Sequence, residues 1–504
     1  MSDSAPSTPT LCIFISSPGD VAEEREKARQ VLAQLQTFYG EQVLLLPVLW
    51  EDLPLELDQP FQKGIDVILG EKPIDIAVFI LWARLGSPLG KAVRDKEGNP
   101  YRSGTEREFD LMLAALEQSG GKRPDILFYR RDDDPAFKRK LSGEPDPGKM
   151  RELMTQSEMA QSFVQEHFQD EEGHNTRAYH RFRQPVEFAS RLKVHLRGLI
   201  DQRIDAGETQ RAARWTEAPY RGLEVFDLRH ADIFFGREAE VCELENRLRQ
   251  RESEGCAFVA VIGASGSGKS SLARAGLQAS LTRFNLDQSV KEWRSAVLLP
   301  AQTEGHPLLG LIQVLPDLAK SGLSATEIAE AFAESPSTTV KTVLKPVFQP
   351  STKNEEPRTK LLVIIDQFEE LFTDPRIAPA ERDRFLLALE ALARSGFCWV
   401  VITMRSDFYP VAQKNEIFLR LKGETGHFDL LPPGPEALRR IITEPARMAG
   451  LRFEKRAPEL GGQSLVGRIL EDAKGQPDML PLLSDLLLEL YQLRSKENVI
   501  TFTA

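Results

Sequence analysis

Val259-Ala260-Val261-Ile262-Gly263-Ala264-Ser265-Gly266-Ser267-Gly268-Lys269-Ser270-Ser271 decides the fold of the larger part of this chain. An apolar run of strand character leads directly into G-x-x-x-x-G-K-S, and Leu272-Ala273-Arg274-Ala275 behind it has helical character. A strand, glycine-rich loop and helix in that order form a phosphate cradle. Glycines at 263, 266 and 268 let backbone N–H groups wrap a polyphosphate, the following helix points its positive end at the same anion, and Lys269 adds a mobile cation. Together with Ser265, Ser267 and Ser271 these residues make the expected nucleotide-binding loop, and Ser270 is placed to ligate Mg²⁺.

A second apolar run, Leu361-Leu362-Val363-Ile364-Ile365-Asp366, reads as a buried strand ending in a carboxylate. A phosphate-loop fold needs such a group for Mg²⁺ or its bound water, and Asp366 takes that role. Gln367-Phe368-Glu369-Glu370 follows, where a carboxylate can orient the water that attacks the γ-phosphate of ATP; Glu370 is the first choice and Glu369 the second. Taken alone, the same acids also read as a favourable helix N-terminus. Trp399-Val400-Val401-Ile402-Thr403-Met404-Arg405 is a further buried strand whose C-terminal end a parallel sheet sets beside the phosphates. Arg405 is therefore a candidate reader of the γ-phosphate, against its plainer reading as a surface cation.

The rest of the chain sets the context. Its 504 residues are enough for several domains, and 41% hydrophobic with 28% charged residues is the composition of a soluble globular protein. No apolar stretch approaches the roughly 20 residues that span a bilayer. Met1 to Thr10 lacks the regions of a signal peptide and reads as a short disordered lead, so a cytoplasmic location is expected. Cys12, Cys242, Cys256 and Cys398 show no C-x-x-C spacing and read as reduced core residues. A net charge of −11 disfavours nucleic acid and anionic membrane as partners.

From Leu11 to Ile204 short apolar runs alternate with amphipathic stretches, the pattern of a parallel α/β domain. Strands are expected at 11–17, 43–50, 74–82 and 125–129, with helices at 21–38 and 106–116. The charged, proline-containing stretch 130–184, with a helix at 150–168, reads as an insertion and 186–204 as the closing helix. Residues 205–220 read as a linker, 221–430 as the nucleotide domain with strands at 257–262, 295–300, 360–365 and 398–403, and 431–504 as a lid in which only helices are expected. Internal repeats are not seen. His167, His174 and His180 have no spacing that implies a metal site.

Tyr220-Arg221-Gly222-Leu223, Phe234-Phe235-Gly236-Arg237-Glu238, the phosphate loop, Asp366 to Leu371, Arg405 and Gly475-Gln476-Pro477-Asp478-Met479-Leu480-Pro481-Leu482-Leu483 together resemble the STAND class of signal-transduction NTPases, which includes NACHT relatives. Gln367 and Phe368 depart from the small and apolar residues common in NACHT proteins. The resemblance implies that Phe235, Gly236 and Arg237 lie near the adenine and that Pro481 closes over the base from a helical lid. It also implies a cycle in which ADP holds a closed form, and in which ATP exchange and a sensed trigger, a protein being one candidate, open it for self-association. Such proteins continue into a winged-helix domain and a sensor, so a chain ending at Ala504 reads as a truncated piece.

Phe14-Ile15-Ser16-Ser17-Pro18-Gly19-Asp20-Val21, followed by Glu23, Glu24 and Arg25, resembles a TIR-like domain of unknown function found before such NTPase modules, giving the expected flavodoxin/TIR-like N-terminal fold. Ser103-Gly104-Thr105-Glu106-Arg107-Glu108-Phe109 resembles the catalytic-glutamate segment of nucleoside deoxyribosyltransferases and their TIR-like relatives. That implies a carboxylate at a sugar, with Glu108 fitting by spacing and Glu106 second, and NAD⁺ as a substrate cleaved in bacterial antiphage immunity. Three readings stay open for this domain: an NAD⁺-cleaving effector, a non-enzymatic module recruiting a separate effector, and a nucleoside-processing enzyme. Equally, Glu108 reads as a first-turn acid favoured by the helix dipole, and Ser16, Ser17 and Asp20 as a turn and cap. Trp82 and Arg84, at the end of the third strand, carry the same ambiguity.

Overall fold

The structure is a computed structural model that describes residues 9–49, 73–89, 93–94, 97–170, 172, 174, 176–206, 215–283, 290–349, 358–454, 463–473, 479–495 and 498–501. Most of the expected lead, Trp50, the middle of the expected linker, residues 350–357, Gly475 to Asp478 and the last three residues lie outside them. The chain divides into two compact units, Met1–Glu208 and Thr209–Ala504. Both are α/β with parallel sheets, as the alternation of apolar runs and amphipathic stretches predicts.

In the first unit β1 (Thr10–Ser16), β2 (Leu44–Leu49), β3 (Ile76–Leu81), β4 (Asp125–Arg131) and β5 (His180–Phe182) form one sheet in the order β2-β1-β3-β4-β5, every neighbour parallel. The order reverses at β1, so the connections leaving β1 and β3 open a crevice at their C-terminal ends. All six side chains of β3 are buried, as befits a central strand covered on both faces.

The stretch 130–184 is part of the domain's core rather than an insertion. It supplies the helices Asp134–Ser142 and Pro147–Phe168 and the edge strand β5. Ala160, Phe163, Val164 and Phe168 are buried against Phe14, Phe79, Phe109 and Phe128, with the Phe109 and Phe163 rings 5.4 Å apart, edge to face. Helical spacing at 160, 163, 164 and 168 carries this packing, and the surrounding charge hides it. Phe163→Ala should therefore destabilise the first unit by about 3–5 kcal/mol. Hydrogen exchange of β3 and β4 in the full chain should accelerate accordingly, whereas a surface insertion would leave it unchanged.

In the second unit β6 (Phe258–Gly263), β7 (Val290–Leu298), β8 (Arg358–Ile365), β9 (Cys398–Arg405) and β10 (His427–Asp429) are ordered β10-β6-β9-β8-β7, again all parallel. Leu361, Val363 and Ile365 face one core and Leu362 and Ile364 the other, all fully buried. Burying those five side chains is worth roughly 10 kcal/mol before chain entropy is counted. It also fixes Asp366 at the C-terminal edge of the sheet. Because β9 lies between β6 and β8, the phosphate loop, Arg405 and Asp366 all leave the sheet on that edge.

Strand β7 begins earlier than expected, and β10 has no counterpart in the sequence reading because three residues carry no periodic signal. The lid contains the helices Pro435–Met448, Leu465–Ala473 and Met479–Gln492. It also holds a parallel pair, Arg452–Phe453 with Val499–Ile500, too short to be read from sequence. All four cysteines are buried and none forms a disulfide. Among the described residues no helix is long and apolar enough to cross a membrane.

Candidate nucleotide-binding site

The loop after β6 has the backbone a phosphate cradle needs. Gly266 and Gly268 stand at φ +74° and +89°, where a side chain is strained, and the helix begins at Lys269. The Lys269 ammonium donates to the carbonyls of Gly263 at 3.1 Å and Ala264 at 2.6 Å, bridging the mouth of the loop. Burial pushes the Lys269 ammonium below the usual lysine range, and the Glu369 carboxylate is the foremost charge opposing that shift.

Asp366 is almost fully buried, 1% exposed. One carboxylate oxygen accepts from Ser270 Oγ at 2.7 Å and Thr403 Oγ1 at 2.5 Å, and the other from Arg274 Nη2 at 2.5 Å. Ser270 and Asp366, the two expected metal ligands, are thus already together, and their hard oxygen donors suit Mg²⁺. Gln367 follows at φ +56°, a left-handed conformation that costs a non-glycine residue about 1 kcal/mol or more. Its N–H is held by Asp366 Oδ1 at 3.1 Å and Thr403 Oγ1 at 3.0 Å.

That turn separates the two glutamates. Glu369 is buried and its carboxylate accepts from the Arg405 backbone N–H at 3.3 Å, on the Lys269 side. Glu370 accepts instead from the Ala301 N–H at 2.9 Å, and partial burial pushes its carboxyl up. Arg405 stands in register beside Gly263 at the end of β9, its guanidinium paired with Asp407 at 2.6 Å.

Above the loop lies a cavity of about 280 Å³, lined on one side by Gly266 to Ser271 and on the others by Val225, Phe226, Phe234, Ile441, Pro445 and Pro481. Phe235 and Arg237 also border it. Arg237 is buried and donates to the carbonyls of Leu431 at 2.9 Å and Ser267 at 3.2 Å, tying the loop to the start of the lid. Gly236, at φ +79°, lets the Pro435–Met448 helix approach so closely that a Cβ would lie 2.5 Å from the Ala437 carbonyl oxygen. Likewise a Cβ on Gly266 would lie 2.5 Å from Pro481 Cγ. Ser265 is exposed and does not line the cavity, and Gly263 supports the loop through its carbonyl.

Sequence reasoning passed over Thr403, Arg274, Val225, Ile441 and Pro445. Arg274 alone carried a usable signal, since it follows Ser270 by four residues and shares its helix face.

The chain belongs to the Novel STAND NTPase 1 family. The family match covers residues 219–504, and membership makes this chain a nucleotide-binding P-loop NTPase. No curated protein matches the chain. Among solved structures, it is similar to the Aeropyrum pernix ORC2 protein in its ADPNP-ADP complexes, at 14% identity over 55% of this chain and 67% of that one, with a TM-score of 0.36. The Walker-type ATPase of Pyrococcus abyssi is 14% identical over 53% of this chain and 71% of that one, TM-score 0.32. The Aeropyrum pernix ORC1 protein in complex with DNA is 19% identical over 54% and 64%, TM-score 0.34. At that level of likeness these proteins lend this chain neither substrate nor partner.

In the first unit Glu108 and Glu106 part company. Glu108 is buried and its carboxylate accepts from Ser16 Oγ, at the end of β1, at 2.5 Å. Ser103 caps the helix by accepting from the Glu106 N–H at 3.1 Å, and the Glu106 carboxylate takes the Arg102 guanidinium at 2.5 Å. Asp20 accepts from the Ala83 N–H at 3.0 Å, and burial pushes its carboxyl up. Ser17 accepts from Arg25, Arg84 pairs with Glu152, and the Arg131 guanidinium lies 4.4 Å over the Trp82 ring. Glu106, Glu166 and His167 could share a cation, but the Arg102 guanidinium already lies between the two carboxylates.

Gly266→Ala should weaken ADP binding by at least tenfold, because the methyl group and positive φ displace either the loop or Pro481. Calorimetry would measure this, with the melting temperature of the ligand-free variant reporting the fold.

Proposed function

We propose that this chain is an ATP-operated switch in which nucleotide holds the helical lid against the phosphate loop. The observation that carries the reading is the cavity bounded at once by the loop and by Ile441, Pro445 and Pro481 of the lid. A ligand touching both elements binds one arrangement of them better than another, and that differential affinity is what shifts a conformational equilibrium. In this reading the base sits among Val225, Phe226, Phe234, Ile441, Pro445 and Pro481, beside Phe235, Gly236 and Arg237. The phosphates lie on the Gly266 to Ser271 backbone, and Lys269 turns from its carbonyl partners to the β- and γ-phosphates of ATP. Bound Mg²⁺ at Ser270 and Asp366 supplies charge neutralisation of those phosphates.

For the attacking water we assign Glu369 ahead of Glu370. Its carboxylate is the one beside the Arg405 N–H and the foremost charge acting on Lys269, while Glu370 is tied to Ala301. Arg405 would leave Asp407 to meet the γ-phosphate. In single-turnover phosphate release, Glu369→Gln should keep ATP bound and slow hydrolysis by about 100-fold or more. Glu370→Gln should stay within about threefold of the parent, and Lys269→Ala should lose binding altogether. A slow Glu370→Gln with a normal Glu369→Gln would reverse the assignment.

We further propose that the first unit is the output domain, brought together by self-association of the second, and that Glu108 works at a glycosidic bond, with the nicotinamide–ribose bond of NAD⁺ as the candidate. What supports this is the buried Ser16–Glu108 pair at the C-terminal edge of the parallel sheet, where α/β folds bind ligands. Glu106 is engaged by Arg102 and serves the helix. With the protein assembled and ATP-bound, nicotinamide release should disappear in Glu108→Gln. An active oligomer that leaves NAD⁺ intact would favour the recruiting-module reading, in which the first unit engages a separate effector.

A further inference from the structure

Arg274 occupies a place that no part of the nucleotide chemistry above requires. Its Nη2 lies 2.5 Å from Asp366 Oδ2, on the carboxylate oxygen that Ser270 and Thr403 leave open. Arg274 is itself largely covered, with a side chain 19% exposed, and its Nε is buried without a hydrogen-bond partner among the described residues. The guanidinium is therefore committed to this one contact. It sits in a widened, π-type stretch of helix, Leu272–Gln278, four residues beyond Ser270, so both side chains reach the same carboxylate from one helix.

The charges decide what this contact does. The charge in direct contact with Asp366 is the Arg274 guanidinium; Glu369, Glu370 and Asp407 are further acids at this edge, and Lys269 and Arg405 further cations. A divalent cation approaching Asp366 meets a carboxylate already neutralised at short range, with a second cation nearby, in an interior where such charges are poorly screened. The phosphates of a bound nucleotide add the negative charge that shifts this competition toward Mg²⁺. We propose that Arg274 competes with Mg²⁺ for Asp366, so that nucleotide enters first, metal follows, and Mg²⁺ adds little to the retention of ADP. The inference rests on the reading of the loop as a nucleotide site and concerns how that site is regulated.

Two measurements on the full chain test it. In the first, ADP is titrated calorimetrically in excess Mg²⁺ and in EDTA, and the ratio of the two Kd values is compared between variants. Arg274→Gln should raise the affinity gain from Mg²⁺ about tenfold over the parent, and Arg274→Lys, which keeps the charge, should stay near it. A structural role would weaken both Kd values together and leave the ratio unchanged; that result, or a smaller gain from Mg²⁺, overturns the proposal. In the second, Mn²⁺ binding to the nucleotide-free protein is followed by electron paramagnetic resonance. Arg274→Gln should bind Mn²⁺ at least tenfold more tightly than the parent, and equal binding overturns the proposal. Should Arg274→Gln not fold, Arg274→Met carries both comparisons. A parent protein that binds no ADP would refute the nucleotide reading, and the Mn²⁺ measurement would still decide the role of Arg274.

Discussion

A carboxylate that is almost completely removed from water has to be surrounded by donors, and Asp366 is the point at which this structure meets that demand. An ionised carboxylate buried without partners would cost several kcal/mol. Here the hydroxyls of Ser270 and Thr403, the Gln367 N–H and the Arg274 guanidinium converge on it. Each comes from a different element: the loop helix, β9, the turn after β8 and the widened stretch beyond Ser270. The demand for donors at one atom pair thus fixes the relative placement of the phosphate loop and two strands. It also holds Gln367 in the left-handed turn that sends Glu369 and Glu370 in different directions.

The lid is coupled to the rest of the unit by close backbone approach as well as by side-chain contacts such as the Arg440–Glu238 ion pair at 2.8 Å. Gly236 and Gly266 leave no room for a Cβ against Ala437 and Pro481. Tyr220, fully buried, donates its hydroxyl to the Ile442 carbonyl at 2.5 Å, and the Phe226 N–H reaches Ser271 Oγ at 3.2 Å. The segment from Tyr220 to Arg237 is consequently fastened to the lid and to the phosphate-loop helix alike. A ligand that orders either anchor changes the free energy of the other, which is the physical content of a switch.

The first unit solves a similar problem with different groups. Three acids near the C-terminal ends of its strands, Glu108 and Glu24 buried and Asp20 half-buried, each have a partner: Glu108 takes Ser16, Glu24 takes Arg131 at 2.9 Å, and Asp20 takes a backbone N–H. Glu106, two residues before Glu108 on the same helix, is spent on Arg102. Glu106 lies in the first turn of the helix Gly104–Gln118 and Glu108 just beyond it, and of the two Glu108 meets Ser16 at the end of β1.

Local sequence was enough for the elements whose signal is contained in a few residues. The glycine-rich loop, the apolar runs of β6, β8 and β9, and the parallel α/β character of both units follow from composition and periodicity, because a strand buried on both faces has to be apolar at every position. Residues whose meaning depends on a distant partner were not legible in that way. The helix Pro147–Phe168 was legible as a helix, but its place in the core was masked by surrounding charge until the aromatic cluster showed what Phe163 packs against. Three-residue β10 exists only because β6 offers it an edge. The sequence by itself pointed to Ser270, Asp366 and a nearby glutamate as parts of one phosphate site. Which glutamate faces the lysine, that Arg274 closes on Asp366, and that Pro481 rests on Gly266 were settled by tertiary packing, since each depends on side-chain direction and on burial among residues far apart in the chain.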